Sequence, residues 1–169
     1  RGFSHALEGL MADLISDGKT RVVWLTSVAN INAPTVSELN AGLDLTKRIT
    51  PDGLKIDPST ADVDTSSLAS TFDTKTVGRV GFDNELTFKR GDTPQEDAPY
   101  STLKYGVSGF LAVRRGLAYS AAWASGQKLE VYPSTCGEPQ NSSPAANEVM
   151  KFVSPQKVTD APATAATVA

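Results

Sequence analysis

The chain has one histidine and one cysteine in 169 residues, and each scarcity excludes a class of chemistry. A single Cys136 allows no disulfide within the chain and no thiolate-only metal site within one subunit. A single His5 leaves one imidazole around which a nucleophile, base and acid arrangement could be built. It is flanked by small residues on an amphipathic stretch, where a surface or packing role accounts for it. Phosphate loops of the Gly-x-x-x-x-Gly-Lys type, Gly-x-Gly-x-x-Gly fingerprints and His-Glu-x-x-His are all missing. Long apolar runs are missing too. Val22 to Leu25 and Ala121 to Ala124 fall far short of a membrane span, and the first residues lack the basic start and apolar middle of a secretory signal. A soluble, non-exported protein is expected. Neither sign of charge dominates: 16 basic and 19 acidic residues give a net charge of −3, spread along the whole length. No basic patch points to a nucleic-acid backbone, and no spacing selects a catalytic carboxylate pair. An enzyme is not expected, nor a cofactor, nor a resident metal.

What is present is strand signal, broken by turns. Arg21 to Ser27 is β-branched and aromatic. It leads into Ala33-Pro34-Thr35-Val36-Ser37-Glu38-Leu39-Asn40-Ala41-Gly42-Leu43-Asp44-Leu45, the most legible stretch of the chain. Pro34 fixes its own φ and keeps Ala33 out of the helical region, so the preceding strand must stop there. Thr35 and Glu38 have capping-box spacing, which predicts one helical turn. Asn40-Ala41-Gly42 tolerates positive φ and should close that turn before an alternating strand at Leu43.

Elsewhere, apolar spacing predicts an amphipathic helix over Ser4 to Ile15, capped by Ser4 and ended by Gly18. A turn is expected at Pro51-Asp52-Gly53 and a short strand at Leu54 to Ile56. Asp57 to Ser70 is polar and reads as a long loop with a helical turn near Ser66 to Ala69. Its acids Asp57, Asp62 and Asp64 lack the ligand pattern of a calcium loop, so contact with a neighbouring molecule is the expected role. Phe72 to Val80 and Glu85 to Arg90 read as a hairpin joined by Gly81-Phe82-Asp83-Asn84, with Leu86 and Phe88 inward and Glu85, Thr87 and Lys89 outward. A second helix is expected from about Pro94 to Tyr105. Strands follow at Ser108 to Arg114, Leu117 to Trp123 and Lys128 to Tyr132, then a loop over Pro133 to Ala146. The last strands fall at Val149 to Val153 and Gln156 to Val158, before an extended or frayed tail from Thr159 to Ala169. Core packing accounts for Trp24, Trp123, Tyr105, Phe110, Tyr119 and Phe152. The sum predicts a mainly β fold: an antiparallel sandwich or barrel with a flanking helix, preferred over a doubly wound α/β fold. Residues 1–20 would form an N-terminal helical arm and 21–169 the body.

Read as a whole, Ala33 to Leu45 after a leading strand resembles the N-terminal signature of major tail tube proteins of long, non-contractile-tailed bacteriophages of actinobacteria. The segment Leu103-Lys104-Tyr105-Gly106-Val107-Ser108-Gly109-Phe110-Leu111-Ala112-Val113-Arg114-Arg115-Gly116 resembles that family's helix-to-strand passage. Val131-Tyr132-Pro133 and Asn147-Glu148-Val149-Met150-Lys151-Phe152 resemble its closing strands. The resemblance implies a subunit of stacked homo-hexameric rings around a lumen through which double-stranded DNA passes on ejection. Tape measure, tail terminator and distal tail proteins would be its neighbours in the virion, after assembly in the host cytoplasm and without a membrane. Ring or subunit contacts are then expected at Pro34, Thr35, Glu38, Asn40, Asp57, Asp62 and Asp64. Glu85 and Glu130, read as outward on their strands, are expected to line the lumen, since a weakly acidic wall lets DNA slide where a basic one would hold it. A β-sandwich adhesin or virion decoration module, binding through loop 57–70, is the alternative.

Overall fold

Alternation along the first strand decides the architecture. On β1 (Thr20–Leu25), Val22 and Trp24 point into one apolar cluster and Val23 and Leu25 into another, and all four are buried. A strand buried on both faces must be covered on both. The computed structural model of the chain, which describes residues 12–169, supplies both covers. Around β1 lie α1 (Val36–Ala41), β2 (Leu43–Asp44), β3 (Ile49–Asp64), β4 (Lys75–Lys89), α2 (Ala98–Thr102) and β5 (Ser108–Arg115). The chain continues with β6 (Lys128–Cys136), β7 (Gln140–Asn141), β8 (Lys151–Val158) and β9 (Ala163–Thr167). All pairings are antiparallel, in the order β2-β1-β5-β6-β8-β4-β3, with β7 on β8 and β9 on β6. The expected mainly β, antiparallel class is the observed one.

The sheet turns back on itself, because one core draws from both of its wings. Val22, Trp24, Leu111, Val113 and Tyr132 from β1, β5 and β6 meet Leu86, Phe88 and Phe152 from β4 and β8. Phe88 stacks on Phe152 at 5.1 Å between centroids, and Tyr100 of α2 meets Phe152 edge-on at 5.0 Å. On the opposite face of β1, β5 and β6, a second core collects Leu39 of α1, Trp123, Leu129, Val131, Ala163, Ala166 and Val168. The C-terminal stretch is therefore not a frayed tail. β9 pairs with Lys128, Leu129 and Val131 of β6, and its alanines are small enough to lie close against that strand. The Val168 and Ala169 amides donate to the Gln127 and Pro34 carbonyls, both at 2.9 Å.

Pro133, expected to open a loop, sits inside β6. Before it, β6 pairs with β9; after it, from Ser134, with β8. Proline has no N–H to contribute, so it suits the place where one edge changes partner. Its carbonyl still accepts from the Thr159 amide at 3.0 Å.

Other expectations are corrected by pairing. Gly81 to Asn84 is not a turn but the middle of β4, because β3 pairs along one side of it and β8 reaches Asp83 and Asn84 on the other. Asp57 to Asp64 is not a loop but the outer half of β3, and Leu68-Ala69 forms a simple turn instead of a helical one. Pro51-Asp52-Gly53 is an irregularity within β3, where the partner of Phe88 is Ile49 and the partner of Leu86 is already Leu54. Leu117 to Trp123 is not a strand. Arg114, fully buried, donates to the Ala118 and Ala121 carbonyls at 3.0 and 2.9 Å and gathers this segment into turns. The second helix is confined to Ala98–Thr102. Tyr105 is exposed instead of packed. Most of the expected N-terminal helix, with His5, lies outside the described residues; 12–15 are non-helical and exposed.

Candidate assembly surfaces

The segment from Pro34 to Leu45 is a self-contained brace. Thr35 Oγ1 accepts from the Glu38 amide at 3.2 Å, and Glu38 Oε2 accepts from the Thr35 amide at 3.0 Å, closing the expected capping box. Glu38 Oε1 also takes the Ala29 amide at 3.2 Å. These backbone donors, Thr35 first and Ala29 second, hold the Glu38 carboxyl below its ordinary pKa. Pro34 is buried, Leu39 drives α1 onto the second core, and Asn40 is exposed. Gly42 departs from expectation in its reason. Its φ is −73°, so no left-handed residue is needed. A Cβ there would instead overlap the Val23 and Leu25 side chains and lie 2.9 Å from the Trp24 carbonyl oxygen. The brace thus delivers β2 to the margin of the sheet, paired with β1 at Val23 and Trp24.

The other three acids lie on an arm. Beyond Ile56 and Phe82, β3 and β4 leave the core and continue as a hairpin that no other segment among the described residues covers. Asp57 pairs with Lys55 at 3.3 Å and Asp62 with Lys75 at 3.1 Å, while Asp64 Oδ1 accepts the Ser66 amide at 2.8 Å, which lowers its pKa. The arm is two-faced. Phe88, Leu86, Asn84, Phe82 and Val80 form one alternating row on β4, starting in the core and ending in solvent. A register shift between Thr60 and Asp62 brings Val77 opposite Asp62 on the same side. Val80 is 58% and Val77 78% exposed; at the tip Phe72 is 79% exposed and Leu68 fully so. Reading 72–80 as one strand of a short hairpin, without placing its valines, leaves this surface unnoticed. The usable signal was that Val77 and Val80 stand three residues apart among Thr76, Gly78 and Arg79, a spacing that no strictly alternating core face gives.

Glu85 faces outward on β4, opposite Lys55 and Pro155. Glu130 does not face outward. It lies opposite Val113 and in one row with Tyr132, on the side of the first core, and it accepts from Arg115 Nε at 3.4 Å. Burial foremost, with Glu130 second, pushes the Tyr132 hydroxyl up to about 12. Glu85 and Glu130 therefore belong to different faces of the sheet.

A bidentate clasp fixes α2 at the end of β4. Arg90 Nε and Nη2 donate to Asp97 at 2.9 and 2.8 Å, Nη1 donates to Asn141 Oδ1 at 2.9 Å, and the guanidinium lies 3.6 Å from the Tyr100 ring centre. A groove of about 570 Å³ opens at the start of β3, lined by Ile49, Pro51, Leu54 and Tyr119 with Lys47 and Arg115 at hand. Among the described residues no three His, Cys, Asp or Glu side chains converge as metal ligands, and no helix is long and apolar enough to cross a membrane.

Residues 11–169 match the family model described as phage tail tube protein. The fold is similar to that of a chain in the cryo-EM structure of the anti-feeding prophage (AFP) baseplate, 6-fold symmetrised. The TM-score is 0.54 at 9% identity, over 89% of this chain and 95% of that one, so the likeness concerns the fold alone. Comparison with curated proteins gives no match. With nearly its whole length matched, this chain belongs to the phage tail tube protein family, a family of structural tail components.

Proposed function

We propose that the chain is the repeating subunit of homo-hexameric rings that stack into the tail tube of a long, non-contractile phage tail, the conduit for double-stranded DNA on ejection. The observation that carries this reading, beside the family, is the outer edge of β3. It is the last strand on its side of the sheet, and no strand of the described residues pairs with its free side. Such an edge is a template for pairing with another chain, and Pro51, Pro58 and the register shift between Thr60 and Asp62 confine that pairing to short stretches of it. At the opposite margin β2 covers only Val23 and Trp24 of β1, so two incomplete edges are offered to neighbours within a ring. Pro34, Thr35 and Glu38 act by setting the position of β2, and Asn40 lies exposed beside them. Asp57, Asp62 and Asp64 act through the arm.

The outer face of β3, β4 and β8 is the candidate lumen wall. Lys55, Asp57, Asp83, Glu85 and Lys157 alternate there, with Lys157 3.9 Å from Asp83. A wall of mixed sign does not bind a duplex by counterion release. Glu85 lies on this face and is proposed as a wall residue; Glu130 lies on the opposite face of the sheet and is not part of this wall. The division into an arm, residues 1–20, and a body, residues 21–169, belongs to the same reading. Tape measure, terminator and distal tail proteins are its neighbours in the virion, after assembly in the host cytoplasm. Electron microscopy of the purified chain tests this: six-fold rings or tubes are expected, and a chain that remains monomeric when concentrated overturns it.

A further inference from the structure

Five polar side chains stand together inside the first core, where packing alone would call for apolar ones. Asn84 of β4, Ser154 and Gln156 of β8, and Ser134 and Cys136 of β6 are each at most 2% exposed. Pairing brings them together: Asn84 lies opposite Gln156 and Gln156 opposite Cys136, so these three side chains stand side by side across the sheet. Four of the five have partners. Gln156 Nε2 donates to Ser154 Oγ at 3.0 Å and to Cys136 Sγ at 3.4 Å, the Cys136 thiol faces Gln156 Oε1 at 3.8 Å, and Ser134 Oγ donates to the Tyr132 carbonyl at 3.1 Å. Asn84 is the exception. Neither its Nδ2 nor its Oδ1 has a partner among the described residues, so turning the amide over changes nothing, and an amide buried in that way is costly. We infer that the row is a built site for one internal water molecule, held by Asn84 together with Ser154 and Gln156.

The donors and acceptors choose the guest. Ser154 Oγ accepts from Gln156 and still has its own hydrogen to give, Gln156 Oε1 has a lone pair to spare, and the Asn84 amide offers both kinds of group. Water, which donates and accepts at once, fits such a set with the two to four polar partners it needs. An ion does not fit, because the set is neutral and a buried charge needs an opposite one. The walls are apolar and closed. Phe82, two residues before Asn84, meets Tyr132 edge-on at 5.5 Å, and Leu86, Ile56 and Val158 belong to the same core. The site also has a task. β6 and β8 pair at Ser134, Thr135 and Cys136, a short seam by which the two wings of the sheet close. Cys136 and Gln156 span that seam and Gln156 and Asn84 the next, so the water ties β4 through β8 to β6. A slip of one residue would turn Asn84 away from the core, so the site favours one register alone.

The test is a map of the full chain, from crystals or by electron microscopy, at a resolution that shows ordered water. A peak is expected about 2.7–3.2 Å from Asn84 Nδ2 or Oδ1 and within the same reach of Ser154 Oγ or Gln156 Oε1. A wild-type map without that peak, or with the Asn84 amide bonded directly to protein atoms, overturns the site and does not depend on any variant folding. Asn84→Leu, close in volume, is expected to keep the fold and lose the peak; Asn84→Ala is expected to gain a second water in the space of the amide. A water that stays in place in Asn84→Leu, on Ser154 and Gln156 alone, overturns the part given to Asn84.

Discussion

Arg114→Met tests whether a buried cation organises the segment after β5. Arg114 is fully buried, donating from Nη1 to Gln127 Oε1 at 3.1 Å and from Nη2 to the Ala118 and Ala121 carbonyls at 3.0 and 2.9 Å, with Cζ 4.6 Å from the Trp123 ring centre. Hydrogen bonds to a charged group are worth roughly 1.5–3 kcal/mol each, so a simple sum would reach about 5–9 kcal/mol. The structure says why that sum is too large. The Ala121 carbonyl keeps a donor in Arg21 Nη1 at 3.2 Å, and Ala118 is exposed, so its carbonyl can turn to water. Arg114 Nε has no partner among the described residues, and burial foremost, then the charge of Arg21, lowers the pKa of the guanidinium. That strain disappears with the cation. Methionine fills much of the space but leaves Gln127 without its donor and Trp123 without a cation–π contact of about 0.5–2 kcal/mol. The net loss expected is about 2–4 kcal/mol. With a urea slope of about 2 kcal/mol/M, the unfolding midpoint should fall by about 1–2 M at unchanged slope, read by tryptophan fluorescence and far-UV circular dichroism together. Arg114→Lys, which keeps the charge but not the fork, should fall between. A midpoint that moves less than about 0.3 M in Arg114→Met would refute the reasoning.

Gly42→Ala should lower stability by about 1–3 kcal/mol through overpacking against Val23 and Leu25, seen as a melting temperature lower by about 2–4 °C per kcal/mol; an unchanged melt would mean that β1 yields easily. The Asp97 carboxyl is held below its ordinary pKa by Arg90 first and by the Gly91 amide, against burial. A depressed carboxylate contributes stability in full above its unfolded value of about 4 and loses it as pH falls through the lower folded value. Asp97→Asn should therefore flatten the acid limb of the stability curve and cost about 1–2 kcal/mol at neutral pH; an acid limb of unchanged steepness would remove Asp97 as its source. Glu85→Lys should slow DNA ejection from assembled particles in a dye-release assay, and unchanged kinetics would take Glu85 off the wall.

The legible parts of the chain were those whose cause is local. Thr35 and Glu38 meet because three residues of helix bring them together, and Leu86 and Phe88 point inward because a half-buried strand alternates. The parts that misled were set by partners distant in sequence. Nothing near Asp83 says that Lys157 and Asp57 will pair on either side of it and pull a turn-like sequence straight. Asp57 to Asp64 carries no apolar alternation because neither of its faces is buried, so the strand signal had no source. Small alanines from 163 to 166 look like a tail until β6 is known to need a thin strand beside it. The exposed row on the hairpin was hidden for the same reason: Val77 and Val80 look like core unless the core is known to stop at Phe82.

The sequence distances between partners also set an order of events. β3 and β4 are joined by a short connection and can zip from the tip inward, a closure over few residues. β1 must wait for β5, since Thr20 pairs with Arg115 and Leu25 with Phe110 across that whole hairpin, and such long closures are slow. The groove draws on Thr20, Val22, Thr46, Ile49 and Arg115, so it exists only after that late pairing. The β3–β4 hairpin buries little of its own outer half, and an isolated two-stranded hairpin is marginal in water, so it too is held firmly only once β8 and the cores have joined it.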